Sequence, residues 1–176
     1  MKQINLMIAG FGGQGILFVG KILAYAGLLE GKQVSWLPSY GPEMRGGTAN
    51  CSVCLSNELI CSPLVTKPDI LIAMNQPSYD KFVDKVVMDG VVIIDSSLIT
   101  IQNQIADKQL ISIPATQLAS EQKLSKLANI ILLGGLLKKT KILSLDSIQK
   151  ALQTYTSKPE LLQSNLKALS IGDTTV

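Results

Sequence analysis

The segment Gly10-Phe11-Gly12-Gly13-Gln14-Gly15 constrains this chain more than any other. It follows Ile4-Asn5-Leu6-Met7-Ile8-Ala9, an apolar run too short for a helix, which reads as a buried strand. Beyond it, Ile16, Leu17, Gly20, Leu23, Ala24, Gly27 and Leu28 recur at helical spacing, and Gly31 suits the helix end. Gly10, Gly12 and Gly15 therefore match G-x-G-x-x-G in the strand-to-helix context where that spacing has physical meaning. Glycines let a backbone approach a phosphate closely, and the helix start adds N–H donors and the positive end of a dipole. A turn of this kind calls for a strand–turn–helix unit in an α/β fold.

The remaining pattern extends that unit. Gln33 to Leu37 reads as a second strand. Pro38 to Gly47 is too rich in proline and glycine for regular structure. Ala49, Cys51, Val53 and Leu55 then alternate with Asn50, Ser52, Cys54 and Ser56, the period of a strand. Ser56-Asn57-Glu58 followed by Leu59-Ile60-Cys61 resembles a hairpin. Asp69 to Met74 and Val91 to Ile94 read as buried strands, with a helix from Pro77 to about Val87 between them. The last third reads as helical. Leu124, Leu127, Ala128, Ile131 and Leu132 form one stripe, and Ser144 and Ser157 are placed to cap two further helices. The expected fold is a single domain over residues 1–176, a three-layer, Rossmann-like α/β domain. Its sheet is expected to be mostly parallel and made mixed by a β-hairpin.

In such sheets, ligands bind beyond the carboxyl ends of the strands. Three strands end in polar or glycine segments, at Gly10–Gly15, at Asn75-Gln76 and at Asp95-Ser96-Ser97, and the Pro38–Gly47 loop is expected at the same edge. A dinucleotide fold normally ends its second strand in Asp or Glu, whereas here that strand ends Trp36-Leu37-Pro38-Ser39. The glycine turn is thus left with three readings: a phosphate site, contact with a partner's backbone or cofactor, or tight strand–helix packing. Arg45, between Gly41-Pro42-Glu43 and Gly46-Gly47, offers five fixed donors for a carboxylate or phosphate, or pairs internally with Glu43. Asp95, Ser96 and Ser97 read as a cap or Asx turn rather than catalytic groups. Trp36 and Tyr40 read as packing or interface residues.

Several chemistries are excluded. The chain has no histidine, so no Ser-His-Asp or Cys-His arrangement exists. The odd number of cysteines, Cys51, Cys54 and Cys61, argues against a disulfide framework. Cys51 and Cys54, three apart on a strand, point to opposite faces, and neither zinc nor an iron–sulfur cluster is expected in this chain. A net charge of +3 without a basic cluster argues against nucleic acid. No apolar run is long enough for a membrane span and no signal peptide is read, so a cytoplasmic location is expected. With 47% apolar and only 16% charged residues, either a large core or a partner-covered surface is implied.

Taken as a pair, Gly10-Phe11-Gly12-Gly13-Gln14-Gly15 and Tyr40-Gly41-Pro42-Glu43-Met44-Arg45-Gly46-Gly47 resemble the gamma subunit of 2-oxoacid:ferredoxin oxidoreductases. Ser62-Pro63, Pro68-Asp69, Asp95-Ser96-Ser97, Asn129, Asn165 and Ala168 add to the likeness, which runs nearly end to end. Trp36 to Tyr40 and Ala73 to Pro77 are most similar to the 2-oxoglutarate branch. The resemblance implies oxidative decarboxylation of a 2-oxoacid to an acyl-CoA by a heterotetramer. Thiamine diphosphate, Mg and iron–sulfur clusters would sit in alpha, beta and ferredoxin-like delta partners, with ferredoxin as acceptor. It implies no catalytic residue here. It implies a contact with coenzyme A or a partner through Gly10, Gly12, Gly13, Gln14, Gly15, Tyr40, Gly41, Pro42, Glu43, Arg45, Gly46 and Gly47. The alternatives are a free-standing Rossmann-like nucleotide-binding protein and a purely structural subunit.

Overall fold

The computed structural model describes residues 3–39, 49–101, 105–124 and 126–176. A six-stranded sheet forms its middle layer, in the order β2-β3-β1-β4-β5-β6. The strands are β1 (Ile4–Gly10), β2 (Gln33–Ser39), β3 (Ala49–Ser56), β4 (Ile70–Ala73), β5 (Val91–Asp95) and β6 (Gln109–Ile113). β1, β4, β5 and β6 run parallel. β3 lies antiparallel between β1 and β2, so β2 points the same way as β1. The expected mixed, mostly parallel α/β architecture is present.

The source of the mixing differs from expectation. Leu59-Ile60-Cys61 is not a strand, and Leu59 is 83% exposed. A run of three apolar residues with an outward leucine has no sheet face to fill. The antiparallel partners of β3 are β2 and β1. β2 also continues through Pro38 and Ser39, which the sequence places in a loop. Proline is tolerated because β2 is the sheet edge, where a missing N–H breaks no ladder on the outer side.

The two faces are covered unequally. Leu6, Ile8, Cys51, Val53, Leu55, Ile72 and Ile93 enter the larger core. It is covered by α1 (Ile16–Leu29), α3 (Ala115–Glu121), α4 (Ala128–Thr140), α5 (Leu145–Tyr155) and α6 (Pro159–Thr175). Met7, Ala9, Leu71, Ala73, Val92 and Ile94 face the smaller core. That side is closed by α2 (Gln76–Phe82) and a 3-10 turn at Val83–Lys85. β6 and α3 were not anticipated. β6 has only Ile111 and Ile113 turned inward, and its other residues are exposed at the sheet edge.

Local chemistry sets the helix ends. Gly31 takes a left-handed φ of 72° after α1. There its N–H donates to the Leu28 carbonyl and that of Lys32 to the Gly27 carbonyl, both at 3.0 Å, the paired bonds of a Schellman end. Asn75 caps α2 by accepting from the Ser78 N–H at 2.9 Å, with Pro77 in the first turn. Ser144 caps α5 as expected, accepting from the Ser147 N–H at 3.2 Å. Ser157 does not cap α6. Lys158 occupies that position, and Pro159, which has no N–H to satisfy, opens the helix.

α4 is buried from Asn129 to Leu137, pressed between the sheet and α6. Glycines allow that approach. A Cβ on Gly172 of α6 would lie far inside van der Waals contact of the Ile131 carbonyl, and one on Gly134 would overlap the Leu169 carbonyl. Glycine-to-alanine in an exposed helix gains up to about 1 kcal/mol. Here the sign reverses, because the obstruction is backbone and cannot rotate away. Gly172→Ala is expected to cost about 2–3 kcal/mol in urea unfolding of the chain. Unchanged or higher stability would mean that the two helices do not meet at this distance.

Candidate functional site

The carboxyl ends of the parallel strands form one edge. Ala9, Ala73 and Ile94 are aligned across β1, β4 and β5. The glycine turn, Asn75 and Asp95–Ser97 therefore share that edge, as the sequence suggests. Ser39 pairs with Asn50, and Gly10 with Ala49. Of the two anchors of the 40–48 segment, Ala49 thus stands beside the glycine turn and Ser39 lies one strand further out. The candidate residues Tyr40, Gly41, Pro42, Glu43, Arg45, Gly46 and Gly47 lie outside the described residues.

The turn is braced by its own glutamine. Gln14 Oε1 accepts from the Phe11 N–H at 2.6 Å and from Asn75 Nδ2 at 3.0 Å. Its Nε2 donates to the Met74 carbonyl at 2.9 Å. A Cβ on Gly10 would stand 2.8 Å from that same Oε1, so glycine makes room for the brace. Gly15, the N-cap of α1, has φ 74° and ψ 21°. Its left-handed backbone favours glycine, and the space where a Cβ would go is filled by Asn129. Gly13 has φ 90° and open space around it. Gln14 thus serves the turn internally, while Gly12 and Gly13 line a shallow recess of about 220 Å³ with Phe11, Ile16, Leu17 and Ala49.

The first ladder bond of α1 runs from the Val19 N–H to the Gly15 carbonyl at 3.1 Å. The amides of residues 16–18 precede it and have no intrahelical acceptor. No acidic side chain occupies the first turn. A phosphate would meet backbone donors there without like-charge repulsion.

Two clefts flank the turn. One, of about 360 Å³, is lined by Gly13, Gln14, Met74, Thr116, Ser120 and Lys126 among others. The other, of about 520 Å³, is lined by Gly15, Phe18, Lys123, Lys126, Asn129, Tyr155 and Asn165 among others. Lys126 borders both, in a turn where its φ is 67°. The sequence reading missed it. Its only signal was a pair of lysines, Lys123 and Lys126, between two helices. A larger cleft of about 680 Å³, lined by Glu30, Lys138, Lys141 and Asp173 among others, sits at the far ends of α1 and α4, away from this edge.

Asp95 is fully buried and accepts from the N–H of Ser97 and from the N–H and hydroxyl of Thr116. Ser97 Oγ accepts from the Gln117 N–H at 3.1 Å. This is an Asx turn that also caps α3, the structural reading of that segment. Trp36 packs beside Gly20, next to the Cys51 thiol.

Cys51 and Cys54 enter opposite faces of β3. Burial pushes the Cys51 thiol up to about 12, against a smaller opposing pull from the Trp36 indole. Burial also raises Cys54, and the nearby Asp69 charge adds to it. Cys61 is exposed. Among the described residues, no group of three metal-ligating side chains gathers. Nor is any described helix long and apolar enough to cross a membrane. Because the thiolate is the reactive form, a thiol reagent at pH 8 should label one cysteine per native chain and three after unfolding. Rapid labelling of two or three in the folded chain would contradict the burial of β3.

A mixed Rossmann-like sheet with a braced glycine turn at the carboxyl ends of its strands defines a phosphate-compatible α/β domain, with no acid–base constellation there among the described residues. Within that class, residues 5–173 match the family model of the pyruvate ferredoxin/flavodoxin oxidoreductases, and the chain belongs to this family. It is 41% identical to the 2-oxoglutarate synthase subunit KorC of Methanocaldococcus jannaschii, over 97% of this chain and 91% of the relative. A gamma subunit of a keto/oxoacid ferredoxin oxidoreductase from Geobacter sulfurreducens superposes with a TM-score of 0.85 at 28% identity. That match covers 97% of this chain and 96% of the other. A 2-oxoglutarate:ferredoxin oxidoreductase from Magnetococcus marinus, with 2-oxoglutarate, coenzyme A and succinyl-CoA bound, gives 0.88 at 25% identity. It covers 100% of this chain and 32% of that one. The chain spans 36% of the length of the ketoisovalerate oxidoreductase subunits VorA that it also matches, at 38% identity in Methanothermobacter thermautotrophicus.

Proposed function

We propose that this chain is the gamma subunit of a 2-oxoacid:ferredoxin oxidoreductase of the 2-oxoglutarate type, and that its glycine turn contacts the phosphates of coenzyme A. The carrying observation is the start of α1. Its leading amides stand behind a braced glycine turn, with Lys126 bordering the clefts on either side. Coenzyme A is the ligand of choice because its pyrophosphate is the anion such a helix start accepts, and because the Magnetococcus relative binds it.

In the overall reaction a 2-oxoacid loses carbon dioxide, two electrons leave in one-electron steps, and the acyl group passes to the coenzyme A thiol. Among the described residues, none gather that would carry the first two steps. The buried thiols of Cys51 and Cys54 face apart and Cys61 lies on the surface, a set that does not fit an iron–sulfur cluster. Thiamine diphosphate, Mg and the clusters are assigned to alpha, beta and delta partners in a cytoplasmic heterotetramer, with ferredoxin as acceptor. The part of this chain is to bind and orient. The α1 amides and Lys126 hold anionic phosphate oxygens, and Arg45, outside the described residues, is proposed to add a bidentate donor. A free-standing nucleotide-binding enzyme is disfavoured, since β2 ends at Ser39 with no acid for a ribose.

The test is coenzyme-A-dependent reduction of an artificial acceptor with 2-oxoglutarate, by the chain alone and by the co-expressed complex. Activity is expected only in the complex. There, Arg45→Ala and Lys126→Ala should each raise the coenzyme A KM roughly tenfold, with kcat little changed. Turnover by the isolated chain would refute the subunit assignment. Unchanged KM in both variants would leave the turn a packing element.

A further inference from the structure

Asn129 is the second residue of a helix that is otherwise apolar through Leu133 and buried from Asn129 to Leu137. It is 3% exposed, and its Oδ1 has no hydrogen-bond partner. A buried amide with an unpaired oxygen is costly, and an aliphatic side chain would suit the surrounding core better. What the amide provides is a bond at its other end. Asn129 Nδ2 donates to the Gly15 carbonyl at 3.1 Å, across 114 residues of sequence.

That carbonyl also receives the Val19 N–H, the first ladder bond of α1. It therefore has two donors, one from the helix it starts and one from α4. The peptide group is planar, so the Gly15 C=O and the Ile16 N–H point in opposite directions within one rigid unit. Pinning the carbonyl inward pins the Ile16 N–H away from it. Gly15 sits in a left-handed conformation with no Cβ to hold it there, and without the Asn129 bond only the Val19 ladder bond restrains this peptide.

We propose that Asn129 is a positioning residue, aiming the first amide of α1 at the coenzyme A phosphate from the core side. The inference rests on the reading that the glycine turn meets coenzyme A. It adds that the aim is set by α4, not by the turn alone. Asn129 touches neither the phosphate nor the reacting atoms, so its loss weakens capture of coenzyme A and leaves chemistry at saturation intact.

The experiment uses the assembled complex with Asn129→Leu, which keeps size and removes the donor. Asn129→Asp is the second variant, turning an acceptor towards the Gly15 carbonyl while remaining polar should the leucine variant fail to assemble. The coenzyme A KM should rise roughly tenfold in each, with kcat and the 2-oxoacid KM within about twofold of the parent. A variant that melts earlier yet keeps its coenzyme A KM would overturn the positioning role. Gly13→Asp separates this from the underlying reading. It adds a negative charge where a Cβ meets no atom within 4 Å, at a φ of 90° that aspartate tolerates better than most residues. If Gly13→Asp raises the coenzyme A KM and the Asn129 variants do not, the turn meets coenzyme A but Asn129 does not aim it. If none of the variants moves the KM, both the inference and the reading beneath it fail.

Discussion

The burial of α4 is the constraint from which the thicker half of the molecule follows. A helix enclosed on all sides needs a sheet beneath it and another helix above it. The second can approach only if its backbone meets no side chain at the crossing. Gly134 and Gly172 supply that clearance, and Gly135 brings the same helix down onto Ile113 of β6. With α4 held in depth and rotation, its start is delivered beside the glycine turn, where Asn129 reaches the Gly15 carbonyl. The ligand edge is thus anchored to the best-packed part of the core rather than to a loop.

The two braces on the turn also differ in kind. Gln14 works locally, tying the turn to the end of β4 through Met74 and Asn75. Asn129 works from the opposite side, through a helix that arrives much later in the chain. Between them the backbone is fixed before any ligand arrives, which lowers the ordering cost of binding. The arrangement agrees with the proposed role of a subunit that contributes geometry rather than chemistry. Among the described residues, Asp95 is spent on capping α3 and the buried thiols of β3 on packing.

Much of this was legible from residue order alone. β1, β4 and β5 are buried on both faces and read as short unbroken apolar runs, and the glycine spacing marked the turn at their carboxyl ends. Asn75, Ser144 and Gly31 act through neighbours a few residues away, so cap signals of this kind are local; for Ser144 and Gly31 they were read correctly. The failures share a cause. β6 shows only two inward isoleucines, too few to stand out, and α3 went unread with it. Leu59 to Cys61 has the composition of a strand, but β3 found its partner in β2, across a segment whose length conceals the pairing. The roles of Gln14 and Asn129 depend on contacts 60 and 114 residues distant, which no local pattern carries. Asn129 was noticed only as a point of family likeness, and Lys126 not at all.

The central claim is that the backbone at the start of α1 is where this subunit meets coenzyme A. Hydrogen–deuterium exchange on the assembled complex, with and without coenzyme A, addresses it directly, because the amides in question are the reporters. The account predicts that a peptide spanning residues 11–18 gains protection on addition of coenzyme A, while the far cleft around Lys141 does not change. Protection that appears elsewhere in the complex, with exchange across residues 11–18 unaltered, would contradict it.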